Sequence, residues 1–370
     1  MSSERINLLV MPTDICNMNC LYCFHESYHE KEGKMSFATL QKLYEITFKH
    51  YSEVAIIWHG GEPLVMGLDF YKKALEMQKQ FCGVKVRNSI QSNLTLLTDK
   101  FADFLCKNDF GVSTSFDGCK NDETRGNSEE ILKGREKIIA RKKNCGVIMV
   151  LSKINIDSLI ESYEYFKSKN INFTINPYSS IPSPADERLK LDADYTVKKI
   201  LELFEYWLHD TSCKIRISYF ERFLDFVVYQ KKDLCVYNSC LGKWMGIRYD
   251  GTIMPCNRWL PAEYSYGNVW DYEDLSQAFE SSGFKKLISE AIERRYKCQS
   301  CIAFPLCSGG CNNAAFNENG IANNGGKTCI MMKAIYQHII EVFKNIQAAS
   351  PENDCNYNPR VISEIRNSKQ

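Results

Sequence analysis

No run in this 370-residue chain reaches the ~18 consecutive apolar residues that a membrane-spanning helix requires. The opening residues, Met1 to Arg5, are polar and lack a charged stretch leading into an apolar one, so no secretory signal is expected. Charge is nearly balanced: 46 Lys and Arg against 45 Asp and Glu leave +1, which offers no field for nucleic acid or an anionic membrane. No internal repeat recurs at a fixed period. Composition is otherwise ordinary, 44% hydrophobic and 25% charged, which excludes a largely disordered chain. The length suffices for one large domain and a smaller one.

Cysteine is what the chain has in excess, with 17 residues. Without a secretory signal these are not expected to pair, because disulfides persist in oxidising compartments. Metal ligation is the better reading, and the expected location is a reducing, anoxic cytoplasm. Eleven of the cysteines fall into two runs. Cys16, Cys20 and Cys23 form C-x3-C-x2-C directly after an apolar stretch. Three thiolates on one short loop can hold a [4Fe–4S] cube by three corners, leaving one iron for an external amino and carboxylate ligand. A zinc site or scattered buried thiols are the alternatives. The second run comprises Cys235, Cys240, Cys256, Cys298, Cys301, Cys307, Cys311 and Cys329. Eight thiolates can close two further clusters, with a pair of zinc knuckles as the alternative. Cys82, Cys106, Cys119, Cys145, Cys213 and Cys355 have no motif spacing and are expected as small buried hydrophobes.

The first half alternates β-rich runs with amphipathic segments. Strands are expected at Ile6–Met11, Val54–Trp58, Val84–Gln91, Val112–Ser115, Val147–Leu151 and Ile171–Ile175. Helices are expected at Phe37–Tyr51, Leu68–Phe81, Asp99–Lys107, Glu129–Lys142 and Ile156–Lys169. Such alternation implies parallel strands with right-handed crossovers. Six units are too few for a closed eight-stranded barrel, and an α/β partial (β/α)6 barrel fits. The cysteine triplet, His59-Gly60-Gly61-Glu62-Pro63, Gln91-Ser92-Asn93, Ser115 to Gly118 and Asn176-Pro177-Tyr178 all follow strands, so they should share the rim where such folds gather function. The expected boundaries are a barrel over 1–205, a helical bridge over 206–233, a cysteine-rich α+β domain over 234–345 and a mobile polar tail over 346–370. Ser179–Lys190 reads as a loop or lid.

The triplet, with Tyr22 before its last cysteine, resembles the signature of the radical S-adenosylmethionine (SAM) superfamily. Gly60-Gly61-Glu62-Pro63 resembles that family's GGEP motif. The second run, with Gly251 four residues short of Cys256, resembles the SPASM domain that extends some of these enzymes. The resemblance implies a SAM-binding [4Fe–4S] cluster on Cys16, Cys20 and Cys23. It also implies two auxiliary clusters, one on Cys235, Cys240, Cys256 and Cys311 and one on Cys298, Cys301, Cys307 and Cys329. SAM contacts are implied for the GGEP residues and Ser115, with Tyr22, Asn93, Arg125 and Arg135 as further candidates. The chemistry implied is reductive cleavage of SAM to a 5′-deoxyadenosyl radical, which takes hydrogen from an unactivated carbon.

Enzymes of this architecture mostly modify peptides or proteins. The sulfatase-maturating branch carries an aspartate directly after the cysteine corresponding to Cys256, and this chain has Asn257 there. An amide has no useful basicity. His25, His59 and Asp117, on the expected rim, are then the acid/base candidates. The expectation from Asn257 is a maturase of ribosomally synthesised peptides that forms a thioether or carbon–carbon cross-link. Formylglycine formation on sulfatases is the alternative, and oxidation of a small molecule is a third. The expected partners are a peptide or protein substrate and an external one-electron reductant of the flavodoxin or ferredoxin type. Because the first strand begins by Ile6, leader recognition is expected to need a separate leader-binding protein or another surface. No nucleic-acid or membrane partner is expected.

Overall fold

The computed structural model describes residues 5–24, 33–179, 186–232, 235, 237, 240–258 and 261–367. Its strands are β1 (Arg5–Val10), β2 (Glu53–Trp58), β3 (Lys85–Gln91), β4 (Gly111–Ser115), β5 (Cys145–Leu151), β6 (Phe173–Pro177), β7 (Trp244–Ile247) and β8 (Ile253–Met254). The first six are the strands the sequence pattern leads one to expect. The architecture is an α/β partial barrel on a mostly parallel sheet, followed in sequence by a cysteine-rich region. The chain divides into two compact units.

The first unit comprises Met1–Ser115, Arg125–Cys145 and Cys240–Glu290. Here β4, β3, β2, β1 and β7 lie side by side and parallel, and β8 returns antiparallel to β7. Alternation places Ile6, Leu8 and Val10 of β1 and Val54, Ile56 and Trp58 of β2 in the core. Trp58 packs edge-on against Phe70 and Tyr71 of the helix Leu68–Gln78, and its indole N–H donates to Asn88 Oδ1 at 3.1 Å. The helix Phe37–Phe48 starts where Ser36 Oγ accepts from Thr39 N, and Asp99–Lys107 starts on Thr98 in the same way. β7 and β8 escape the sequence pattern because four and two residues show no legible alternation.

The second unit comprises Phe116–Thr124, Gly146–Ser239 and Ala291–Gln370. β5 and β6 pair in parallel, with Val147 opposite Phe173. The helices Leu159–Ser168, Ala193–Leu208, Ser218–Tyr229 and Lys327–Ala348 pack around Phe204, which meets Phe220 and Phe343 edge-on. Of the expected lid, residues 180–185 lie outside the described residues. The polar tail differs from its expected mobility: Pro359–Asn367 is a helix that buries Val361 and Ile365. Asn358 anchors it, donating from its backbone to Leu208 O at 2.7 Å and accepting from Arg360 N. Two apolar residues four apart are enough for one buried stripe, although composition alone reads as polar.

Ile365→Ala should lower unfolding stability by about 2–5 kcal/mol in a urea titration. A loosely attached tail would leave the midpoint where it is.

Candidate functional site

β1 runs on through Met11 into the cysteine loop, and the loop after β2 is bonded along this extension. His59 N donates to Val10 O at 2.8 Å, Gly61 N to Thr13 O at 2.9 Å and Glu62 N to Ile15 O at 2.8 Å. Gly60 stands at φ +112°, and a Cβ on Gly61 would lie 2.3 Å from the Ile15 carbonyl oxygen. Only glycine permits that approach. The cysteine and GGEP motifs are thus held together by main-chain hydrogen bonds.

Glu62 is buried, and its carboxylate holds three donors: Leu64 N at 2.9 Å, Ser92 Oγ at 2.7 Å and Asn93 N at 2.7 Å. Burial pushes its pKa up, while these donors and Arg125 pull it down. Glu62 therefore clasps the ends of β2 and β3. Asn93 ties in the cysteine loop, donating to Asn17 Oδ1 at 2.9 Å. Ser115, ending β4, accepts from Gln91 Nε2 at 3.1 Å. Arg125 donates to the Tyr22 hydroxyl at 2.9 Å, and its guanidinium lies 5.7 Å from that ring's centroid. Desolvation raises the Cys16 thiol, with Glu62 and Cys20 adding to it and the Met18 backbone and Arg125 opposing. Arg135 stands beside Cys145, on the helix Ser128–Ala140, with a buried Nε that has no hydrogen-bond partner among the described residues.

The acid/base candidates fare differently. His25 lies outside the described residues. His59 Nδ1 accepts from Gly60 N at 2.7 Å, which puts the ring proton on Nε2. Burial, aided by Arg258 and opposed by the Gly60 hydrogen bond, lowers its pKa to about 4, so the ring is neutral and weakly basic. Asp117, in the second unit, is fully buried, accepting from Thr124 Oγ1 at 2.6 Å and from Val150 N at 2.8 Å. It buttresses β5, with both carboxylate oxygens bonded.

The later cysteines divide between the units. In the first, Cys240 and Cys256 both act on Tyr266, and Cys256 Sγ accepts from Arg258 N at 3.4 Å. Gly246 of β7 makes room for the turn that carries Asn257, since a Cβ there would meet Cys256 O at 2.5 Å. In the second, Cys235 lies near Arg222. Burial raises the Cys307 thiol, the Gly309 backbone hydrogen bond opposes this, and Cys298, Cys301 and Cys329 raise it further. Sequence reasoning missed what positions them. Arg294 is buried and donates to Gly309 O at 2.9 Å, to Ile321 O and to Asn312 Oδ1 at 2.6 Å. Arg295 donates to Ser308 O at 2.9 Å. The two arginines pin the Cys307–Cys311 turn, where Ser308, Gly309 and Gly310 all have positive φ. The adjacent Arg-Arg pair is the signal in the sequence, but it reads equally well as a solvated face.

A family model of the radical SAM superfamily matches residues 10–166, and one of an iron–sulfur cluster-binding domain, SPASM, matches residues 235–302. Residues 10–166 thus match the radical SAM superfamily, and residues 235–302 match SPASM. This radical SAM/SPASM chain is 25% identical to the cysteine-type anaerobic sulfatase-maturating enzyme of Clostridium perfringens, over 92% of its own length and 99% of the relative's. Native anSMEcpe with bound AdoMet and the Cp18Cys peptide matches with a TM-score of 0.82 and 24% identity, covering 93% of this chain and 100% of that one. Streptococcus suis SuiB bound to the precursor peptide SuiA matches with a TM-score of 0.66 and 19% identity, covering 88% and 76%. These structural likenesses concern the fold.

These two matches imply SAM, a [4Fe–4S] cluster in the radical SAM core and iron–sulfur chemistry in the SPASM region. The residues fit. Arg125 favours anions at Cys16 and Glu62, and Cys298, Cys301 and Cys329 each act electrostatically on Cys307. Among the described residues no three His, Cys, Asp or Glu side chains converge as ligands of a single ion would. A cube spreads its thiolates over separate irons and does not require that. Bound there, the cluster and SAM supply a carbon-centred radical, and the protein's own part is to position groups and exclude water.

Arg294→Lys keeps the charge but loses the planar fork. Iron content after anaerobic reconstitution should fall by about four atoms per chain, one cube, while SAM binding persists. Wild-type iron content would deny Arg294 this role. His59 titrates below its ordinary value, so its stabilising contribution is complete above pH ~6.5 and is lost as pH falls toward 4. Between pH 7.5 and 5, His59→Gln should lose less stability than wild type in urea; equal losses would refute the neutral imidazole.

Proposed function

We propose that the chain oxidises a cysteine or serine side chain of a protein or peptide to formylglycine, the alternative that Asn257 first disfavoured. The observation carrying this is end-to-end correspondence: 92% of the chain aligns with 99% of the C. perfringens sulfatase-maturating enzyme. The cross-linking reading keeps one specific support, Asn257 in place of a base. For a cysteine substrate, loss of one hydrogen atom from Cβ, one electron and the thiol proton gives a thioaldehyde. Water then replaces the sulfur, which leaves as hydrogen sulfide. For serine, the same losses give the aldehyde directly.

Cys16, Cys20 and Cys23 would hold the SAM-binding cluster. Cys235, Cys240, Cys256 and Cys311, and Cys298, Cys301, Cys307 and Cys329, would hold two auxiliary clusters that take up the electron, about twelve irons in all. Asn257 would orient the substrate thiol or hydroxyl by hydrogen bonding. An external one-electron reductant of the flavodoxin or ferredoxin type starts each turnover.

The test is anaerobic incubation with SAM, a reductant and a peptide carrying a sulfatase maturation site in Cys and Ser forms. The expected product reacts with a carbonyl reagent, and hydrogen sulfide is released from the Cys form. A product two hydrogens lighter but inert to that reagent would establish cross-linking instead. Asn257→Asp supplies the missing base and should raise aldehyde formation at neutral pH by about tenfold or more. An unchanged rate would mean that position 257 does not handle the substrate proton.

A further inference from the structure

Several large apolar side chains stand exposed where the second unit gathers its thiols. Tyr296 is 75% exposed, Ile302 is 52% exposed and Ile330 is 47% exposed. Each lies within two residues of one of the cysteines: Tyr296 before Cys298, Ile302 after Cys301 and Ile330 after Cys329. The chain beside Cys298 is bonded to the loop that precedes Cys329. Lys297 Nζ donates to Ala322 O at 3.0 Å, and Asn324 Nδ2 donates to Lys297 O at 3.1 Å. Apolar residues so placed do nothing for the core and are costly in water unless something covers them.

Charge says what covers them. Residues 291–333 hold five cations (Arg294, Arg295, Lys297, Lys327, Lys333) against two carboxylates, +3 in a chain of +1 overall. Both carboxylates are engaged within the unit: Glu293 with Lys297 at 2.7 Å, and Glu318 with Thr328 N at 3.1 Å. Lys327 and Lys333 are exposed. An apolar centre with a cationic rim suits a small, transient interface with an acidic protein, where rim charges steer the encounter.

We propose that the face around Cys298, Cys301 and Cys329 docks a small acidic one-electron carrier protein of the flavodoxin or ferredoxin type. The proposal rests on an iron–sulfur cluster at these cysteines and is independent of which side chain the enzyme oxidises. Tyr296, Ile302 and Ile330 form the dry centre, and Lys327 and Lys333 set the approach.

The test is calorimetric titration of the anaerobically reconstituted enzyme with an oxidised, acidic flavodoxin, beside a basic cytochrome of similar size. Two double variants are compared, Lys327→Glu with Lys333→Glu and Ile302→Ser with Ile330→Ser. Flavodoxin should bind more weakly as salt rises toward about 0.5 M, because exposed charges are screened. Both variants should raise its Kd by about tenfold or more. Iron content and dithionite-driven release of 5′-deoxyadenosine should stay at wild-type values, which separates failed docking from failed chemistry. Unchanged affinity in both variants, equal binding of the cytochrome, no binding of flavodoxin by wild type, or self-association through this face in sedimentation would each overturn the proposal.

Discussion

The site depends on three main-chain hydrogen bonds that lay residues 59–62 along the extension of β1. Those bonds require carbonyls of Thr13 and Ile15 to come within touching distance of Gly60 and Gly61, and no side chain fits between. Everything near the triplet follows from that contact. The cysteine loop leaves β1 at a fixed angle because its first residues are tied to the neighbouring strand's exit. Glu62 is then carried inward, where its carboxylate collects donors from the end of β3. A buried carboxylate is tolerable only when its lone pairs are used.

This arrangement reassigns several side chains. Glu62 organises loops, Asn93 braces the cysteine loop through Asn17, and His59 is kept neutral by burial, with its tautomer set by the Gly60 N–H. Asp117 holds β5 in place. The polar residues of the rim thus do much of the holding that a short, glycine-rich loop cannot do for itself. In the second unit, Arg294 has the corresponding part, its planar fork joining three backbone and amide acceptors around the turn that presents Cys307 and Cys311.

Most of the parallel strands were legible because their inward residues alternate over five to seven positions, and two of the helices between them, Phe37–Phe48 and Asp99–Lys107, carry side-chain caps. β7 was not, being four residues long, nor was the tail helix, whose buried stripe is two residues wide. The two cysteine runs stand out by spacing, since a candidate thiolate ligand is marked by its element and its neighbours in sequence. The acid/base candidates were not, because basicity depends on what surrounds a group. A histidine and an aspartate on the expected rim look alike in sequence whether or not their lone pairs are already taken.

Asn257 shows the same division. As a residue type it says that no proton can be taken there, and that much is chemistry of the amide. It favoured a cross-linking product over an aldehyde only so long as the rest of the chain was silent, and full-length similarity to sulfatase-maturating enzymes shifts the balance. The sequence by itself pointed to iron–sulfur chemistry and to the radical SAM and SPASM matches, because two cysteine runs and the GGEP motif stand at characteristic spacings. Only the tertiary structure showed which polar residues are engaged as braces, because hydrogen bonds between strand ends bring together residues that lie far apart in the chain.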